Sequence, residues 1–96
     1  MSKGRESTNV ESRRLVIVNE CGLHARAAAK FGAALGAFEA EVDVEKDGTR
    51  VSGRSIMGLM MLAAAPGTAI QVEARGSDAQ AALDALAALV ENRFDE

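Results

Sequence analysis

Ala40-Glu41-Val42-Asp43-Val44-Glu45 alternates apolar and acidic residues without a break, and Lys46-Asp47-Gly48-Thr49-Arg50-Val51-Ser52 follows it. Strict alternation is the pattern of a strand with one buried and one wet face. Asp-Gly favours a two-residue hairpin turn, because both central positions need positive φ. The stretch predicts an antiparallel hairpin with Arg50-Val51-Ser52 as its short returning strand. A sheet of that kind has to cover its apolar face with another layer.

The flanking sequence supplies that layer. Ala69-Ile70-Gln71-Val72-Glu73-Ala74 alternates again, and Leu15-Val16-Ile17-Val18 is a β-branched run. Both read as strands. Ala25 to Leu35 has high helix propensity, with Ala28, Phe31, Ala34, Leu35 and Phe38 at helical spacing and Gly36 at its end. Ser55 precedes Ile56-Met57-Gly58-Leu59-Met60-Met61-Leu62 and reads as the N-cap of a short helix. Ser77-Asp78-Ala79-Gln80 has the form of a capping box, and it opens a helix carrying Leu83, Leu86, Ala87 and Val90 on one face, with Phe94 closing the stripe. The predicted order is β-α-β-β-α-β-α, an α+β fold in two layers. Residues 1–14 are almost wholly polar and read as a flexible tail, leaving a domain over 15–96.

Composition narrows the function. With 96 residues the chain is one domain, and 48% hydrophobic residues are enough for a core. A net charge of −3 and 3% aromatics argue against nucleic acid as a partner. One Cys and one His exclude a disulfide, a cysteine-based zinc cluster and a multi-histidine site, so no metal and no cofactor is expected. The apolar run Ile56 to Ala65 is interrupted by Gly58 and stops at Pro66, too short for membrane insertion. Without an apolar leader the chain reads as cytoplasmic, and nothing suggests more than a monomer.

Three places could carry chemistry. His24 stands at the predicted strand-to-helix junction in Gly22-Leu23-His24-Ala25-Arg26. A neutral imidazole nitrogen is a nucleophile. A phosphoryl group on it would meet the unpaired backbone N–H groups of Ala25 and Arg26 at the helix start, and the Arg26 guanidinium could bind its oxygens. A surface histidine beside a structural arginine is the plainer alternative, and the residues alone favour it. Ser55 is either a simple cap or a cap whose hydroxyl can be phosphorylated, since a helix N-terminus accepts negative charge. The run Ile56 to Leu62 holds more large apolar residues than one helix face buries. Leu59 and Leu62 are expected inward, with Met57 and Met60 at least partly outward as an adaptable contact surface. Cys21 reads as an incidental loop thiol.

Taken together, Gly-Leu-His-Ala-Arg at 22–26 and Ser-Ile-Met-Gly-Leu-Met at 55–60 resemble the two signatures of the HPr family of bacterial phosphotransferase phosphocarriers. The resemblance runs from about Leu15 to Phe94. It implies an open-faced sandwich, a four-stranded antiparallel sheet in order 1-4-2-3 with three helices on one face. It implies that His24 accepts a phosphoryl group on Nδ1 from an enzyme I type donor charged by phosphoenolpyruvate and passes it to an enzyme II A-type acceptor. Arg26 and the Ala25 backbone N–H would hold the group. Ser55 would be the target of an HPr kinase/phosphorylase, and Ala25, Ala29, Ile56, Met57 and Met60 would dock partners. The chain would be a carrier with no turnover of its own. Where many members have Pro after the arginine, this sequence has Ala27, which touches helix stiffness more than chemistry. The Ala-rich helix start and the Met-rich run resemble proteobacterial members of the nitrogen-type branch. Two other readings stand beside the carrier: an adaptor whose phosphorylation state selects its partner, and a small ligand-binding domain in which His24 and Ser55 are structural.

Overall fold

The computed structural model describes residues 10–96. Four strands, β1 (Val10–Val16), β2 (Glu41–Lys46), β3 (Thr49–Ser52) and β4 (Ala69–Arg75), form one antiparallel sheet in the order β1-β4-β2-β3. Three helices, α1 (Ala25–Ala34), α2 (Ile56–Met61) and α3 (Ala79–Glu91), make the second layer. Short 3-10 turns follow α1 (Leu35–Ala37) and α3 (Arg93–Asp95). This is the expected α+β sandwich, with the expected strand order.

The hairpin forms as its sequence dictates. Asp47 and Gly48 both take positive φ, 51° and 84°, and Lys46 pairs with Thr49 across them. Val42, Val44, Val72 and Ala74 turn toward the helices and are buried. The alternate residues carry charge on the open face. There Arg50 bridges Asp43 and Glu73, and Arg75 binds the same two carboxylates at 3.1 and 2.9 Å. Phe31, Leu35, Leu59, Ile70, Leu83 and Leu86 fill the space between the layers with almost no exposure. No helix among the described residues is long and apolar enough to cross a membrane.

Two expectations are corrected. The strand expected over Leu15–Val18 begins at Val10 and ends at Val16, so residues 10–14 are not a tail. Pairing makes it a strand: Val10 to Val16 match Arg75 to Ala69 along β4, and Arg13 reaches Asp84 of α3 at 2.9 Å. Ile17 still bonds backbone to backbone with Gly67 and Thr68 beyond the last paired residue. The remainder of the expected tail, residues 1–9, lies outside the described residues. The capping box at α3 also does not form. The helix starts at Ala79 behind Asp78, whose side chain makes no cap bond. Its carboxylate instead accepts the Glu39 backbone N–H at 2.7 Å, tying the start of α3 to the approach of β2.

Candidate functional site

Between β1 and α1 runs a tight loop built on Asn19, a polar side chain with no exposure. Its carbonyl accepts the Gly22 N–H at 3.3 Å, and its amide donates to the Gly22 carbonyl at 2.8 Å. Gly22 takes φ 67°, and a Cβ there would stand 2.5 Å from the Ala64 carbonyl oxygen, so only glycine fits. Leu23 donates its N–H to the same Ala64 oxygen at 3.0 Å and is buried. His24 is thereby gripped between buried Leu23 and buried Ala27 and Ala28. It occupies the N-cap position of α1 with extended backbone (φ −82°, ψ −177°) and makes no side-chain cap bond. Its carbonyl accepts the Ala28 N–H at 2.8 Å. The N–H groups of Ala25, Arg26 and Ala27 therefore have no intrahelical acceptor, and no side chain at the cap takes their place.

The histidine ring is 35% exposed and has two neighbours. Nδ1 lies 3.2 Å from the Gly22 carbonyl oxygen, and Nε2 lies 3.9 Å from Oε2 of Glu96. Glu96 arrives there through a left-handed hook. Arg93, Phe94 and Asp95 take φ of 58°, 54° and 60°, each costing about 1 kcal/mol or more for a residue with a side chain. Burial of Phe94 and the bonds from Lys30 Nζ to the Phe94 carbonyl and from Asn92 to Asp95, both at 2.8 Å, hold the hook. Its carboxylate then accepts the backbone N–H of Glu20 at 2.7 Å, that of Cys21 at 3.4 Å and the Asn19 amide at 3.3 Å. Desolvation acts against the charged carboxylate. The donors of Asn19, Glu20 and Cys21 outweigh it, so the Glu96 carboxyl titrates below its ordinary range. The reverse holds for Cys21: its hydrogen bond to Glu96, and then the charge of Glu96, raise the thiol. Arg26, Lys30 and the hook line a small recess of about 40 Å³ beside His24.

The structure thus brings His24, Arg26 and Ala25 to one helix end. Ser55 is the cap of α2, accepting the Gly58 N–H at 2.9 Å on its hydroxyl. It is not beside His24. The backbone around Arg54 approaches Gly32, about 12 Å along α1 from His24, whereas His24 shares a shallow groove with Ala63 to Pro66, beyond the end of α2. Leu59 and Leu62 are buried, and Ile56, Met57, Met60 and Met61 are 45%, 73%, 43% and 72% exposed. Ala25 and Ala29 are exposed on α1. Sequence reasoning missed Asn19 and Glu96. Asn three residues before Gly is a turn signal that could have marked the first; nothing local marks the second. Composition had excluded cysteine-only and histidine-only metal sites. The expectation of no metal took no account of a mixed set, and ligand atoms of Cys21, His24 and Glu96 all lie within 4.8 Å of one another.

The family pattern described as the PTS HPr component phosphorylation site matches residues 11–92. The chain belongs to the PTS HPr family. HPr relatives cover nearly its whole length. The phosphocarrier protein HPr of Cupriavidus necator is 48% identical over 84 residues, covering 88% of this chain and 94% of that one. The phosphocarrier protein NPr of Shewanella violacea is 43% identical over 84 residues, covering 88% and 92%. Relatives of both names therefore match, and the nitrogen-type branch is not singled out. Among solved structures, HPr of Thermoanaerobacter tengcongensis superposes with a TM-score of 0.85 at 38% identity, over 90% of this chain and 97% of that one. The HPr fold and a role as a phosphotransferase-system phosphocarrier follow from this membership.

Proposed function

We propose that His24 is the phosphoryl acceptor of this phosphocarrier, charged by an enzyme I type donor and discharged to an enzyme II A-type acceptor. The observation that carries the reading is the uncapped start of α1, where a half-exposed imidazole stands at N–H groups with no intrahelical acceptor. Turning the ring away from the Gly22 carbonyl frees the Nδ1 lone pair, while a proton on Nε2 faces the Glu96 carboxylate. Nδ1 then attacks phosphorus, the bond to the donor's phosphorylated nitrogen breaks, and its electron pair returns to that nitrogen. The second transfer repeats the step with His24 as the leaving group. The Ala25 N–H and the Arg26 guanidinium receive the phosphoryl oxygens. The phosphohistidine persists between partners, and the chain performs no turnover alone.

Ala25, Ala29, Ile56, Met57 and Met60 supply the docking surface, small and adaptable enough for successive partners. Ser55 is the regulatory site, phosphorylated by an HPr kinase/phosphorylase. Its phosphate would add about −1.5 to −2 charges within the docking surface. The carrier acts as a cytoplasmic monomer. The test is incubation with enzyme I, magnesium and labelled phosphoenolpyruvate, followed by intact mass. A gain of one acid-labile, base-stable phosphoryl group that His24→Ala abolishes in a folded protein is expected. Uptake by folded His24→Ala refutes the assignment. Comparing sugar-type with nitrogen-type donors selects the branch.

A further inference from the structure

We infer that Cys21, His24 and Glu96 form a binding site for a divalent transition metal of the zinc class, and that a metal there blocks His24 as a phosphoryl acceptor. The site stands on geometry alone, whereas the blocking rests on the function proposed above.

The donor set is one sulfur, one imidazole nitrogen and one carboxylate oxygen, all within 4.8 Å of one another. In a tetrahedral zinc site metal–ligand bonds of about 2.0–2.3 Å put ligand atoms roughly 3.3–3.8 Å apart. The Nε2–Oε2 separation of 3.9 Å is already close to that. Exposed Cys21 has room to move the remainder. Three protein donors with a fourth position open to solvent is a recurrent zinc arrangement, and the thiolate disfavours magnesium and calcium.

A second observation points the same way. Metal-bound histidines usually donate their other ring N–H to a carbonyl or carboxylate, and ligating carboxylates are themselves hydrogen-bonded. Nδ1 lies 3.2 Å from the Gly22 carbonyl oxygen, the partner such a histidine requires. The Glu96 carboxylate is held by the Glu20 and Cys21 N–H groups and the Asn19 amide. Both ligands are thus oriented before any ion arrives. On binding, the Cys21 thiol gives its proton to solvent and the metal takes the Nε2 lone pair. The neutral ring keeps its one proton on Nδ1, bonded to Gly22. That nitrogen is the one the phosphoryl group needs, and it has no lone pair left to attack with.

Titration with Co2+ alone tests the site without any enzyme. The expected result is a thiolate-to-cobalt charge-transfer band saturating at one equivalent. It should be absent in Cys21→Ser and need on the order of ten- to a hundredfold more metal in His24→Ala and Glu96→Gln. No band overturns the site outright, and a band equally tight in those last two variants overturns it in favour of a lone thiol. The second arm measures phosphoryl uptake from enzyme I with and without Zn2+. Uptake should fall in the native protein and persist in Cys21→Ser, which meets the same enzyme I. Equal uptake with and without Zn2+, in protein shown to bind Co2+, overturns the blocking. A chain that takes up no phosphoryl group even without zinc refutes the proposed function and the blocking with it, while the cobalt arm still decides the site.

Discussion

Two helix starts in this molecule face the same physical problem and solve it in opposite ways. At α2 the Ser55 hydroxyl accepts the Gly58 N–H at 2.9 Å, so the end is closed by its own side chain. At α1 the equivalent position is His24, whose backbone is also extended but whose ring makes no cap bond. It leans toward Gly22 and Glu96 instead. An N-cap is worth about 0.5–2 kcal/mol. The fold takes that stabilisation at α2 and forgoes it at α1, where the first N–H groups stay without a side-chain acceptor. On the function proposed above, the α1 start serves as a site because it is incompletely capped as a helix.

Exchanging the cap breaks the comparison most severely. His24→Ser should abolish phosphoryl uptake in the enzyme I assay. It should also raise the thermal midpoint, because a cap contributing about 1 kcal/mol moves the midpoint of a domain this size by roughly 4–8 °C. A lower midpoint would mean that the α1 start cannot accept a cap. Next comes Arg26→Ala, expected to slow transfer on the order of a hundredfold at saturating donor, the cost of losing one preorganised donor to a transferring group. Unchanged single-turnover rates would remove Arg26 from the site. Met57→Asp should weaken donor binding about tenfold, or roughly 1.4 kcal/mol, by calorimetry. Equal affinity would put α2 outside the interface. Ser55→Ala should lower stability by about 1 kcal/mol in urea while uptake is kept, showing that the closed end serves the fold.

The smallest effect concerns Glu96, whose folded carboxyl titrates below its unfolded value because the donors of Asn19, Glu20 and Cys21 outweigh its desolvation. A depressed carboxyl stabilises the folded state above its unfolded pKa, and the contribution is lost as pH falls through the folded value. Native protein should therefore be slightly more stable than Glu96→Gln near neutrality, with the gap closing in acid. A gap that persists below the carboxylate range would assign it to packing.

Local signals were legible where one short segment decides the outcome. Asp47-Gly48 makes its turn through its own positive φ, Ser55 caps through its own hydroxyl, and His24 reaches a helix start because Gly22 can turn against Ala64. What escaped was decided by distant partners. Glu11, Ser12, Arg13 and Arg14 read as a tail because polar residues carry little strand propensity, yet backbone pairing to β4 makes them a strand. Ser77 matched a capping pattern, but α3 starts one residue later, behind Asp78, whose carboxylate is taken by the distant Glu39 N–H. Glu96 was invisible, because only the packed Phe94 and its left-handed neighbours bring it to Asn19, 77 positions away.

That last separation has a consequence in time. Ribosomes add roughly 5–20 residues per second, so Asn19 is synthesised on the order of several seconds before Glu96. For that interval the nascent chain displays its histidine without the carboxylate that will face it. The corner around His24 is finished only when the hook has turned back on the loop. A protease nicking the hook would undo that corner and, by releasing the buried Phe94, loosen the core beneath it as well.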